Sequence, residues 1–173
     1  NSYTWDDDYT RVKTYSTTGQ LLTSETDELS DGSIDSRTTY IYDEDNDLLI
    51  ERHEDQNADG HPEEIEIYEY NDQQLLIRGQ TYDASDNSLI AYEEFTYNSN
   101  GDTLSHKIDW DYDGRYDVTF TYTYDESFRL VSLTTFFDDE IELFRGTYIT
   151  SYSYIDNTDD MSVSVMNSYD GAG

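Results

Sequence analysis

Val118-Thr119-Phe120-Thr121-Tyr122-Thr123-Tyr124 sets apolar or aromatic residues against threonines at alternate positions. Side chains of a strand alternate between faces, so Val118, Phe120, Tyr122 and Tyr124 share one face and the threonines share the other. The β-branched and aromatic content fits a strand equally well. The motif returns. Tyr/Phe-x-Tyr stretches lie at 40–42, 68–70, 95–97, 122–124 and 152–154, ending at intervals of 28, 27, 27 and 30 residues. Tyr15, 27 residues before Tyr42, makes a weaker sixth copy. A short, nearly constant period denotes stacked supersecondary units rather than one irregular fold.

Each aromatic stretch runs into a polar cluster: Ser16-Thr-Thr-Gly19, Asp43-Glu-Asp-Asn46, Asn71-Asp-Gln73, Asn98-Ser-Asn-Gly101 and Asp125-Glu-Ser127. Such residues close hairpins by bonding their own backbone or by tolerating positive φ. Return strands are predicted to begin near Leu21, Leu48, Leu75, Leu104 and Leu130. No segment holds apolar residues at helical spacing over several turns. The expected fold is all-β: tandem β-hairpin repeats of about 27 residues in a continuous, mainly antiparallel twisted sheet, with roughly ten to twelve strands in all. The chain is read as a single array over 1–173, with approximate repeats 1–26, 27–54, 55–82, 83–108, 109–137 and 138–173. Tyr70, Tyr97 and Tyr124 are expected to be buried, because the chain has few large aliphatic residues to build a core.

Tyr42-Asp43, Tyr124-Asp125 and Tyr97-Asn-Ser-Asn-Gly-Asp-Thr-Leu104 resemble YD repeats of the RHS type, over most of residues 9–160. Tyr70-Asn71, Tyr97-Asn98 and Tyr154-Ile155 depart from Tyr-Asp, and extra residues in an acidic loop lengthen the period. The resemblance implies hairpins laid side by side into a long curved sheet, used as a shell or stalk in secreted or surface proteins.

The acidic loops carry the candidate chemistry. Asp109-Trp-Asp-Tyr-Asp-Gly-Arg-Tyr-Asp117 places carboxylates at loop positions 1, 3, 5 and 9 (Asp109, Asp111, Asp113, Asp117) around Gly114. Calcium takes six to eight hard oxygen ligands, and the Arg115 backbone carbonyl would add one at position 7. A second copy keeps Asp55, Asn57, Asp59 and Glu63. A third keeps Asp27, Asp31 and Asp35 but has Leu29 at position 3. These loops resemble the calcium loops of thrombospondin type 3, dockerin and integrin-like repeats. They are not complete EF-hands, since Phe120 stands where the bidentate Glu would be. Asp83-Ala-Ser-Asp-Asn87 and Asp138-Asp-Glu140 lack the pattern. The competing reading is that the Asp-Gly turns merely connect strands.

With 40 acidic residues against nine basic ones, the net charge is −31, so nucleic acid and anionic membranes are repelled and cations are the natural partners, calcium being the one the loops suggest. A habitat rich in salt is another source of such a surface. Cysteine is absent, which removes disulfides and thiolate sites. No stretch is long and apolar enough for membrane insertion. The chain opens on Asn1, as a mature form or a fragment would. His53, His61 and His106 form no ligand pair, and no nucleophile elbow or phosphate loop appears. The expected function is therefore a non-enzymatic, extracellular or cell-surface, calcium-stabilised structural or adhesive repeat protein with cell-surface or matrix partners. Alternatives are a self-assembling filament or surface-layer subunit, pairing through edge strands such as Met161–Met166, and a carbohydrate-binding module using exposed aromatics.

Overall fold

In a computed structural model the described residues are 9–138, 146–154 and 161–168. They form twelve strands and no helix. These are β1 (Thr10–Tyr15), β2 (Leu21–Asp27), β3 (Ser36–Tyr42), β4 (Leu49–Asp55), β5 (Glu64–Tyr70) and β6 (Leu76–Asp83). There follow β7 (Ser88–Tyr97), β8 (Thr103–Asp109), β9 (Val118–Tyr124), β10 (Leu130–Phe137), β11 (Gly146–Tyr154) and β12 (Met161–Ser168). Their order in the sheet is their order in the chain. The all-β hairpin array read from the aromatic period is thus the observed architecture.

The chain groups into two compact units. One takes in residues up to Glu69 together with Gln80–Leu89, the other Tyr70–Gly79 together with residues from Ile90 onward. In the first, β1 to β5 pair antiparallel with successive neighbours. In the second, β7 to β12 do the same. β12 pairs with β11 from Met161 opposite Tyr154 to Ser168 opposite Thr147, so the terminal alternating segment closes the last hairpin instead of lying unpaired. The Asp138-Asp-Glu140 segment after Asp138, and the tail from residue 169, lie outside the described residues.

The residue after the hairpin tyrosine explains why the repeat tolerates Asn and Ser in place of Asp. Asp125 Oδ1 accepts the N–H groups of Ser127 (2.8 Å) and Arg129 (3.0 Å). Asn71 Oδ1 receives Gln73 and Leu75, Asn98 Oδ1 receives Asn100 and Asp102, and Ser16 Oγ receives Thr18 and Gln20. One side-chain oxygen with local reach is all the turn needs. The backbone then closes a three-residue loop, as in Asp125 N–H to Arg129 O and Phe128 N–H to Asp125 O, both 3.0 Å. The third loop residue is left-handed: Gly19, Gln74, Gly101 and Phe128 have φ of 94°, 61°, 89° and 61°. This residue adds a bulge, visible as register shifts at Thr14/Tyr15 and Thr96/Tyr97. The return strands begin at the expected Leu21 and Leu130, and one residue from the expected leucines at Leu49, Leu76 and Thr103.

Side chains at facing register positions stack. In the second unit His106 lies between Phe95 (4.0 Å between ring centroids) and Phe120 (5.5 Å). Beyond them Val118, 1% exposed, is the one fully buried apolar side chain among the described residues. Tyr70, Tyr97 and Tyr124 are half-buried, which corrects the expectation of a buried aromatic core. The described residues contribute only strands and connecting loops to lie against these rings. Their hydroxyls act instead. Tyr97 Oη donates to Leu76 O (2.6 Å) and Tyr124 Oη to Thr103 O (2.8 Å), each reaching back 21 residues to the first residue of the preceding return strand.

Candidate metal centre

Asp27, Asp55 and Asp109 are the last residues of β2, β4 and β8, and they are the only buried charged side chains among the described residues. Burying a carboxylate is costly unless donors satisfy it. In all three loops the donors are the same. Asp109 Oδ1 accepts the Asp113 N–H (3.2 Å) and Oδ2 the Gly114 N–H (3.1 Å). Asp55 receives Asp59 (3.1 Å) and Gly60 (2.8 Å), and Asp27 receives Asp31 (3.1 Å) and Gly32 (2.8 Å). Position 9 repeats as faithfully. Asp35, Glu63 and Asp117 accept the N–H of position 2, from Glu28, Gln56 and Trp110, at 2.7, 2.7 and 2.6 Å.

The backbone has one shape in the three copies. Position 6 is Gly32, Gly60 or Gly114 at φ of 90° to 94°, and position 4 is Ser30, Ala58 or Tyr112 at φ of 52° to 53°. The position-4 conformation was hidden in the sequence, because serine, alanine and tyrosine carry no common signal for left-handed backbone. Position 5 turns inward on position 7: Asp31, Asp59 and Asp113 Oδ1 accept the N–H of Ser33, His61 and Arg115. The Ser33 N–H, and then its hydroxyl, hold the exposed Asp31 carboxyl below its usual range.

Asp109, Asp111 and Asp117 bring one ligand oxygen each within 4.8 Å of one another. Among the described residues this is the one such acidic cluster. Asp113, expected as a fourth ligand, directs Oδ1 to Arg115 N–H at 2.8 Å and lies outside the triad. Arg115 itself is exposed. In the second loop Asn57 donates Nδ2 to Glu63 Oε1 (2.7 Å) while its Oδ1 accepts the Asp59 N–H (2.9 Å), so Asp55, Asn57, Asp59 and Glu63 are joined by hydrogen bonds. Asp27, Asp31 and Asp35 of the first loop share the backbone pattern without converging as the triad does. All three donor sets are hard oxygens, the chemistry of a calcium or magnesium site. The shorter β6–β7 loop starts from Asp83 in the same slot, but Asp83 Oδ1 caps Ser85 (2.8 Å) and the chain returns at Asn87.

Two histidines pair with carboxylates outside the three loops, and the third lies within the second loop, with its backbone N–H on Asp59. His53 Nε2 meets Glu51 (2.9 Å) and His106 Nε2 meets Glu93 (2.9 Å), while His61 lies exposed in a loop.

No family model and no curated protein matches the chain. Solved structures do match in fold. The crystal structure of TcdB2-TccC3-Cdc42 aligns over 91% of this chain at 18% identity and a TM-score of 0.51. TcdB2-TccC3 without its hypervariable C-terminal region gives 91%, 19% and 0.57, and TcdB2-TccC3 gives 92%, 18% and 0.56. The chain spans 8–9% of the length of these structures. The shared fold is consistent with the YD/RHS-type repeat that the Tyr-turn-Leu motifs resemble.

Proposed function

We propose that this chain is a non-enzymatic, calcium-stabilised segment of a longer YD/RHS-type hairpin sheet, with a structural or adhesive role in a secreted or cell-surface protein. The observation that carries the reading is the convergence of Asp109, Asp111 and Asp117 within 4.8 Å at the end of a loop whose backbone recurs twice more. Three carboxylates at that separation repel one another, and a divalent cation between them turns the repulsion into attraction. Asp109, Asp111 and Asp117 would hold the ion, which would supply charge neutralisation and pin β8 to β9. The −31 charge favours cations over nucleic acid or anionic membranes as partners. The fold likeness to a small part of much longer chains supports a segment within an extended array.

Thermal melts in millimolar calcium, in magnesium and in chelator test the reading, with calorimetric counting of bound ions. A site held at a hundredfold excess over its dissociation constant adds about 2.7 kcal/mol. Equal melting temperatures in calcium and chelator would refute it.

A further inference from the structure

We propose that the β8–β9 loop, besides its carboxylates, presents a binding platform for a neutral pyranose chain, formed by Trp110 and Tyr112. Trp110 is 59% exposed and Tyr112 50% exposed. The two loops with the same backbone have Glu28 and Ser30, or Gln56 and Ala58, at these positions, so loop geometry does not call for aromatic rings. Tyr112 is moreover held at φ 53°, where a bulky side chain is strained, and strain of this kind concentrates at functional positions.

Tyr112 does not stand alone. Tyr112 lies 6.4 Å from the Tyr92 ring on β7, at 48°. Tyr92 Oη accepts from Arg78 Nε (3.2 Å) and donates to Glu94 Oε2 (3.3 Å). Lys107 Nζ meets Glu94 Oε1 at 3.1 Å, which holds the Glu94 carboxyl below its usual range. A carboxylate, hydroxyl and guanidinium therefore meet at Tyr92, the ring neighbour of Tyr112, with Trp110 exposed two residues away in the same loop.

A pyranose ring matches that arrangement. Its axial C–H face is apolar and stacks on an aromatic ring, while its equatorial hydroxyls require donors and acceptors at the edge. Even with one calcium held, Asp109, Asp111, Asp113 and Asp117 outweigh the ion and Arg115 and leave the loop net negative, which disfavours uronates and sulfated sugars, so the ligand is uncharged. Two loop side chains fall well short of the roughly 800 Å² per partner of a stable protein interface, which favours sugar over a protein partner.

Affinity electrophoresis of the whole chain, in calcium, through gels containing hydroxyethyl cellulose, xyloglucan, galactomannan or polygalacturonate tests the assignment. At least one neutral polysaccharide is expected to retard the chain, with no retardation by polygalacturonate. Trp110→Ala and Tyr112→Ala should each weaken that retardation by about tenfold, and Trp110→Phe should keep most of it. Melting and ion counting on the same variants separate loss of the platform from loss of the calcium site. Free migration of the wild type in all three neutral gels, stronger retention by polygalacturonate, or full retention by the folded Trp110→Ala/Tyr112→Ala double variant would overturn the proposal.

Discussion

Removing the two tyrosine hydroxyls that reach back one return strand, by Tyr97→Phe and Tyr124→Phe, deletes one hydrogen bond each and leaves the rings in place. The bonds are short, 2.6 and 2.8 Å, and both phenols are half-buried. A net worth of about 1 kcal/mol per bond gives about 2 kcal/mol for the double variant. In a chain of this size that is a fall of roughly 4–8 °C in melting temperature. Tyr97 stands opposite Thr103, whose carbonyl accepts from Tyr124, so a cycle through both single variants reads any coupling between the two ties. A second arm uses pH. Burial, and then the Glu93 carboxylate for Tyr97 and Asp102 for Tyr124, raise both phenols above the ordinary value of 10.0. A folded-state pKa above the unfolded one gives stability that is complete below about pH 10 and lost as pH rises through the folded values. The double variant has lost those two protons and should therefore lose less stability than the wild type above about pH 10. Urea midpoints on either side of that pH provide the measurement. An unchanged midpoint in the double variant at about pH 8, or equal alkaline losses in both proteins, would refute the role assigned to the hydroxyls.

Two further outcomes follow from loop geometry. Ala58→Gly should raise stability by about 0.5–1 kcal/mol, because Ala58 is left-handed at φ 53°, whereas Gly101→Ala at φ 89° should lower it by about 1 kcal/mol. A Cβ at Gly101 meets only Leu75 Cδ1, at 3.5 Å, so its cost lies in the backbone, and changes of the same sign in chemical denaturation would contradict this account. Asp111→Ala should lose one bound calcium by calorimetry while Asp86→Ala, in the short β6–β7 turn, loses none; equal stoichiometry in the two would remove Asp111 from the site.

The strands were legible because alternation in stretches such as Val118–Tyr124 reports a local property, side-chain direction along one strand. The turn class was legible for the same reason, since Asp125 or Asn98 caps only its own loop. Three things were not. The hairpin bulge depends on one left-handed residue, and Gln74 and Phe128 give no sign of it. The tyrosine ties depend on register between strands, although the constant spacing of 21 residues back to the first residue of a return strand was available in the sequence. The acidic loops showed the spacing of their carboxylates but not which converge: Asp109, Asp111 and Asp117 come together, while Asp113 Oδ1 accepts the Arg115 N–H. Burial of aromatics failed as an expectation because periodicity tells which face a ring shares and says nothing of what lies over that face.

The 21-residue reach has an evolutionary corollary. Each tie, by Tyr97 or Tyr124, binds a hairpin only to its immediate predecessor, while the Ala84-to-Glu63 and Asp138-to-Asp117 backbone bonds close the open ends of single hairpins. An internal duplication or deletion of one whole period therefore regenerates every junction intact, whereas a gain or loss of a few residues within a strand breaks the register on both sides. Array length is thus free to drift by unequal recombination, while the acidic loops, at the strand ends away from the tyrosine turns, vary in length without touching the tyrosine ties. A Tyr112 or a Trp110 acquired in one loop need not be copied into the others, so individual repeats can specialise while the array keeps its construction.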